Sequence, residues 1–207
     1  MAGALPLLAR YVGKRGCPPT AGIECPEDLK VELARNNLIA DSYTLTDGQC
    51  GLHAFFISLN DARHRWPQIS AQHVWKSLAK LRALQPKLDR LRSQVVSWIK
   101  HHATTCVWEG LTVRGFVEAS MDGDIASFGE YLAKMSQKDA WIDVIMMHAL
   151  GRLFKVDVLV FQRGVDISFV GTSLGEEVPS TAVPLVHVAL ENDRHYWGVT
   201  RLTLSAD

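Results

Sequence analysis

Several things are missing from this chain of 207 residues. It has no net charge: Lys plus Arg and Asp plus Glu stand at 22 each. That removes the electrostatic case for nucleic acid or an anionic membrane as the main partner. It has no apolar run as long as a membrane span, so no membrane association is expected. Its N-terminus has no basic n-region, and Pro6 breaks the apolar stretch that follows, so it does not read as a secretory signal. Only four cysteines occur, Cys17, Cys25, Cys50 and Cys106, and none pairs in a C-x-x-C spacing. A zinc cage or a thioredoxin-like motif is therefore not expected. Such cysteine usage suits a reducing compartment, and the cytoplasm is the expected location; Cys17 and Cys25 could be bridged in an exported protein. Internal repeats, low-complexity tracts and a regular βαβ alternation are also absent.

What is there is an ordinary globular mixture, 47% hydrophobic and 21% charged, enough for one sizeable core. Residues 1–24, with Gly13, Gly16, Pro18, Pro19 and Gly22, read as a loosely structured leader, and residues 25–207 as the folded domain. Pro26, Glu27 and Asp28 predict a helix start, with Asn36-Asn37 as its stop. A second helix is predicted from Cys50 to about Asn60, and a third from Ala71, capped by Ser70, to about Leu84. After Pro86 a further helix carries Leu88, Leu91, Val95, Trp98, Ile99 and His102 on one face, read as core packing. Lys76, Lys80, Arg82, Lys87, Arg90 and Arg92 on these two helices read as a solvated face. Then come a short helix at Phe128–Met135, following Gly123 and Asp124, and one over Ala140–Phe154, capped by Asp139. The latter has an apolar face of Trp141, Val144, Ile145, Ala149 and Leu153. Beyond it the period changes: strands are predicted at 156–161, 167–170, 185–190 and 196–204, with 174–184 as loop. Helices first and strands later argue an α+β fold, a small central sheet packed between helices.

The chemistry concentrates in Asp47-Gly48-Gln49-Cys50, placed between a turn pair and an apolar helix. A helix N-terminus offers unpaired N–H groups and partial positive charge, and both favour the nucleophilic thiolate. Far downstream, Asn192-Asp193-Arg194-His195-Tyr196-Trp197 puts a histidine at the start of a strand. Cys50 and His195 are a candidate nucleophile–base pair. The plain alternative is a buried, inert Cys50.

Three blocks together resemble one family. Asp47-Gly48-Gln49-Cys50 resembles the D-G-x-C nucleophile motif of ovarian-tumour-domain (OTU) cysteine proteases, and His195-Tyr196 resembles their H-Y motif. Trp141-Ile142-Asp143, leading into Ala149-Leu150 and then Lys155–Val160, resembles the family's tryptophan-led helix and following strand. The resemblance spans about residues 41–204. It implies an OTU-like fold and cysteine-type hydrolysis after the C-terminal glycine of ubiquitin, polyubiquitin or a ubiquitin-like modifier. The expected actor is a monomer needing no cofactor and no metal, in the cytoplasm, or a host's cytoplasm for a viral or bacterial protein. Cys50 would form a thioester, with His195 as general base and acid. Backbone amides around Gly48 and Gln49 would hold the oxyanion. Asp47 would shape that loop, and Tyr196 and Trp197 would line the substrate channel, core packing being the default for a Trp.

The chain departs from the pattern beside the histidine. Relatives carry Asp or Asn two residues after the histidine, on the same strand face; here that residue is Trp197. Asn192, Asp193 or Asp41 could orient His195 instead, with Asp28 more remote, or the pair could act as a dyad. His53, on the nucleophile's helix where relatives often carry Arg, reads as a packing residue, as does His187. His64, His73, His101 and His102 read as surface or helix-end histidines. Two alternative functions stay open from the resemblance: an inactive ubiquitin-binding module, and a viral polyprotein-processing protease of the same fold. A structural protein with an incidental Cys and His is the third.

Overall fold

The computed structural model describes residues 24–40, 48–63, 65, 81–108, 110–121, 125–162, 168–170, 184–191 and 195–201. Residues 1–23 of the expected leader, Asp41, Asp47, Ser70, residues 71–80 of the helix predicted from Ala71 to about Leu84, His64, His73, Asn192, Asp193 and residues 202–204 lie outside them.

Helix α1 spans Glu27–Arg35, with Glu27 and Asp28 in its first turn and Asn36 and Asn37 (φ 56°) closing it. Strand β1, Leu38–Ala40, follows at once; no strand is predicted there, because three residues are too few to show a period. Helix α2 is Cys50–Ala62 and is buried on every side as far as Leu59. A helix apolar all round belongs in the middle of a core.

Helix α3 is Leu81–His101, unbroken through Pro86. This corrects the expected break: the missing N–H costs one intrahelical bond, and the helix runs on past it with the stripe Leu88, Leu91, Val95 and Ile99 buried. A small hairpin, β2 (Cys106–Trp108) and β3 (Leu111–Thr112), turns at Gly110, whose φ of 84° suits glycine. Thr112 caps α4, Val113–Ser120, through its hydroxyl on the Gly115 N–H. The hairpin strands are too short to announce themselves by period, and α4 is not predicted either. Helix α5 is Phe128–Met135, capped by Ser127.

Helix α6 is Val144–Phe154, four residues shorter than predicted. Asp143, not Asp139, is its cap: Oδ1 accepts the Met146 N–H at 2.8 Å. Trp141 and Ile142 therefore precede the helix, and Leu153 is exposed rather than on the buried face.

Four strands complete the fold: β4 (Asp157–Gln162), β5 (Ser168–Val170), β6 (Leu185–Glu191) and β7 (His195–Arg201). The sheet order is β1-β7-β6-β4-β5, with β4 and β6 parallel and the other neighbours antiparallel. Side chains alternate cleanly between its faces. Val158, Val160, Val186, Val188, Leu190 and Tyr196 join the large core with α2, α3 and α6. Phe161, Ala189, Trp197 and Val199 join a smaller core with Leu29 and Leu33 of α1. The result is a mixed sheet between helices, as predicted. Among the described residues, no helix is long and apolar enough to cross a membrane.

Candidate active site

Helix α2 lies directly on β7. A Cβ on Gly198 would overlap Ile57, so the helix touches the strand backbone there. One residue on, the Val199 N–H donates to Ser58 Oγ at 2.8 Å, and the Arg201 N–H donates to Asp61 Oδ1 at 3.3 Å. The two elements therefore run in the same direction. From the Ile57–Gly198 contact back to Cys50 along the helix is roughly 10 Å, and back to His195 along the strand also roughly 10 Å. Cys50 opens the helix and His195 the strand, each about the same length of element upstream of that contact. Gly198 makes this closeness possible, and no period or motif in the sequence singles it out.

Both side chains are largely enclosed: Cys50 is 2% exposed and His195 5%. On β7, Tyr196 and Gly198 face α2, while His195, Trp197 and Val199 face the α1 side. The Trp197 ring meets His195 edge-on, centroids 4.5 Å apart and planes at 73°. Trp197 is itself 1% exposed in the smaller core, so the core reading of that residue fits its place. His53 is also buried, on α2. His187 is half-buried on β6, and burial, with Arg65 and Arg201 adding to it, pulls its pKa down to about 4.

The loop before Cys50 is held from three sides. A Cβ on Gly48 would overlap the backbone of Asp139. The Gly48 carbonyl accepts from Arg92 Nη2 at 2.8 Å, and Arg92 Nη1 donates to the Met135 carbonyl at 3.1 Å. Gln49 is the cap residue of α2 but makes no side-chain cap bond; its Nε2 donates to Asp89 Oδ1 at 3.1 Å. Asp89 Oδ2 pairs with Lys138 at 2.6 Å. Gly51, in the first turn of α2, sits so close to Ile142 that a Cβ would lie 2.6 Å from its Cβ. These contacts explain the late start of α6: residues 139–142 lie against Gly48 and Gly51 instead of continuing the helix. They also correct the reading of Arg92. It is not on a solvated face but 1% exposed, with its guanidinium on two carbonyls. Its position on the stripe side of α3, one residue after Leu91, was the available signal.

Behind the loop, Asp143 is fully buried. Burial pushes its carboxyl up to about 6, against the opposing hydrogen bonds from the Met146 N–H and the Tyr131 hydroxyl. Tyr131 is raised well above its ordinary value, by burial first and the Asp143 charge second. Among the described residues no group of three or more His, Cys, Asp or Glu could hold a metal ion. A groove of about 660 Å³ between α3 and the end of α6, lined by Trp98, His102 and Phe154 among others, includes none of the candidate residues.

No protein-family model matches the chain, and no curated protein matches it in sequence. Solved structures do. An OTU deubiquitinase from Wolbachia pipientis wMel bound to ubiquitin is similar at TM-score 0.50 and 14% identity, covering 81% of this chain and 98% of that one. An OTU deubiquitinase structure from the same organism gives 0.45 and 13%, covering 81% and 90%. The OTU domain of OTUD1 gives 0.48 and 18%, covering 84% and 92%. At these identities the likeness concerns architecture alone. By that architecture, a mixed sheet between helices that matches almost the whole of the ubiquitin-bound domain, the chain has the OTU fold.

Proposed function

We propose that the chain is a cysteine-type deubiquitinase, hydrolysing the isopeptide or peptide bond after the C-terminal glycine of ubiquitin or a ubiquitin-like modifier. One observation carries this reading: α2 and β7 run side by side in the same direction, with Cys50 opening one and His195 opening the other. The reading requires the His195 ring to meet Cys50 around the end of β7, since the strand's alternation directs the ring away from α2. His195 takes the Cys50 proton, and the thiolate attacks the glycine carbonyl carbon. Amides of the Gly48–Cys50 loop, shaped on its upstream side by Asp47, hold the developing oxyanion. The C–N bond breaks as His195 gives the proton to the leaving amine. Water, deprotonated by His195, then splits the thioester and restores the thiol. Asn192, Asp193 and Asp41 remain the candidates to orient His195, and Tyr196 and Trp197 those for the channel.

A second reading draws on Trp197. Trp197 stands two residues after His195, where relatives often carry Asp or Asn, and an indole offers no acceptor from that position; this substitution keeps open a domain that binds ubiquitin without cleaving it. Ubiquitin carrying a thiol-reactive C-terminal group separates the two. A mass increase of one ubiquitin on the wild type, lost in Cys50→Ala, is the expected result. Saturable ubiquitin binding with no adduct would replace the hydrolase by the binding module.

A further inference from the structure

The nucleophile loop is anchored by a residue that no motif contains. Arg92, buried on α3, spreads its guanidinium over two backbone carbonyls, Gly48 at 2.8 Å and Met135 at 3.1 Å. One turn earlier, Asp89 accepts from Gln49 and pairs with Lys138. The same two residues thus tie the loop 48–49 to the segment 135–138, and the Asp139 backbone fills the space where a Gly48 side chain would stand.

A trans peptide is planar, with its carbonyl and N–H pointing in opposite directions. Arg92 fixes the Gly48 carbonyl toward α3, so the Gln49 N–H of the same unit points the other way. Glycine at 48 makes this peptide easy to flip, because no Cβ resists the rotation. A flip would exchange the N–H for a carbonyl oxygen, an acceptor where an oxyanion needs a donor. We infer that Arg92, assisted by Asp89, is a positioning residue that locks the Gly48–Gln49 peptide in the orientation the oxyanion requires. This rests on the hydrolase reading above.

Such a lock acts on the transition state, where the oxyanion exists, and little on substrate binding. Steady-state hydrolysis of ubiquitin bearing a C-terminal fluorogenic amide therefore tests it, with Arg92→Lys and Arg92→Met. Lysine keeps the charge but cannot fork to two carbonyls; methionine keeps bulk alone. Both are expected to lower kcat by about ten- to a hundredfold with KM within about twofold. The pH limbs of kcat/KM, which report the cysteine–histidine pair, should not move. Lysine should recover part of what methionine loses. Unchanged kcat in a variant that melts like the wild type would overturn the inference. So would a rise in KM alone, or a shifted pH limb, which would make Arg92 a charge acting on the thiolate. Where burial at 92 prevents folding, Asp89→Ala on the outer side of α3 gives the same test, with a smaller loss expected in kcat alone and an unchanged kcat overturning it. A wild type that forms the warhead adduct but releases no fluorophore overturns this inference and leaves the aligned nucleophile standing. A wild type that does neither removes the hydrolase reading and this inference with it.

Discussion

Asp143 shows what a single buried carboxylate imposes. Its Oδ1 caps α6 and accepts the Tyr131 hydroxyl, while Oδ2 has no hydrogen-bond partner among the described residues. Folding raises its pKa from 3.8 to about 6. Between those values the folded chain holds the proton that the unfolded chain has released, so stability falls as pH rises through that window. At about 1.4 kcal/mol per unit the full cost above pH 6 is on the order of 3 kcal/mol. His187 works the other way: folding lowers its pKa from 6.5 to about 4, so its stability contribution is lost as pH falls through that window. The two slopes oppose each other between about pH 4 and 6. Asp143→Asn keeps the cap acceptor and removes the titration. Its melting temperature, followed by circular dichroism from pH 7 to 4, should fall with acidification more steeply than that of the wild type. Parallel profiles would show that Asp143 does not titrate in this range.

Helix α2 and strand β7 are joined by packing and by side chain to backbone bonds, and the contact at Gly198 leaves no room between them. Gly198→Ala must push the helix away, because the obstacle is Ile57 Cβ itself, which has no rotamer to change. Overpacking of this kind costs about 1–3 kcal/mol. Separation would also stretch the Ser58–Val199 bond and shift the start of one element against the other. Gly198→Ala should therefore lose ubiquitin hydrolysis at temperatures where circular dichroism still reports a folded protein. Activity retained in proportion to the folded fraction would show that the spacing tolerates the methyl group.

Across the whole molecule, the sequence revealed long or strongly patterned elements and hid those set by contact. Helix α2 and strands β4, β6 and β7 were readable because an apolar run or an abrupt change of period marks them. The hairpin strands at 106–112 and β1 were not, being shorter than two periods of a strand; α4, as long as α5, was missed although Thr112 offers it a cap. Pro86 misled because a proline reads as a break in sequence, whereas here the missing N–H removes a single bond from a helix of 21 residues. Asp139 misled because Asp139 and Asp143 are equally good caps by type, and the choice between them was made by Gly48 and Gly51 nearly a hundred residues away. Of the candidate site, Gly48, Gln49, Cys50 and His195 were legible as motif residues. Arg92, Asp89 and Gly198 were not, since each matters through one distant backbone contact. The sheet that divides the two cores has a kinetic consequence for the chain's thiols. Cys25 lies in the smaller core beneath α1, Cys50 in the larger one, and Cys106 is exposed. Burial also pushes the Cys25 thiol up to about 11, leaving little thiolate to react. The sheet acts as a partition: α1 can lift and bare Cys25 while the layer behind it stays shut. Of the described thiols, peptide-resolved alkylation should modify Cys25 and Cys50 on separate clocks, with mild denaturant accelerating Cys25 the more. A single shared clock for the two buried thiols would mean that both sides of the sheet open together.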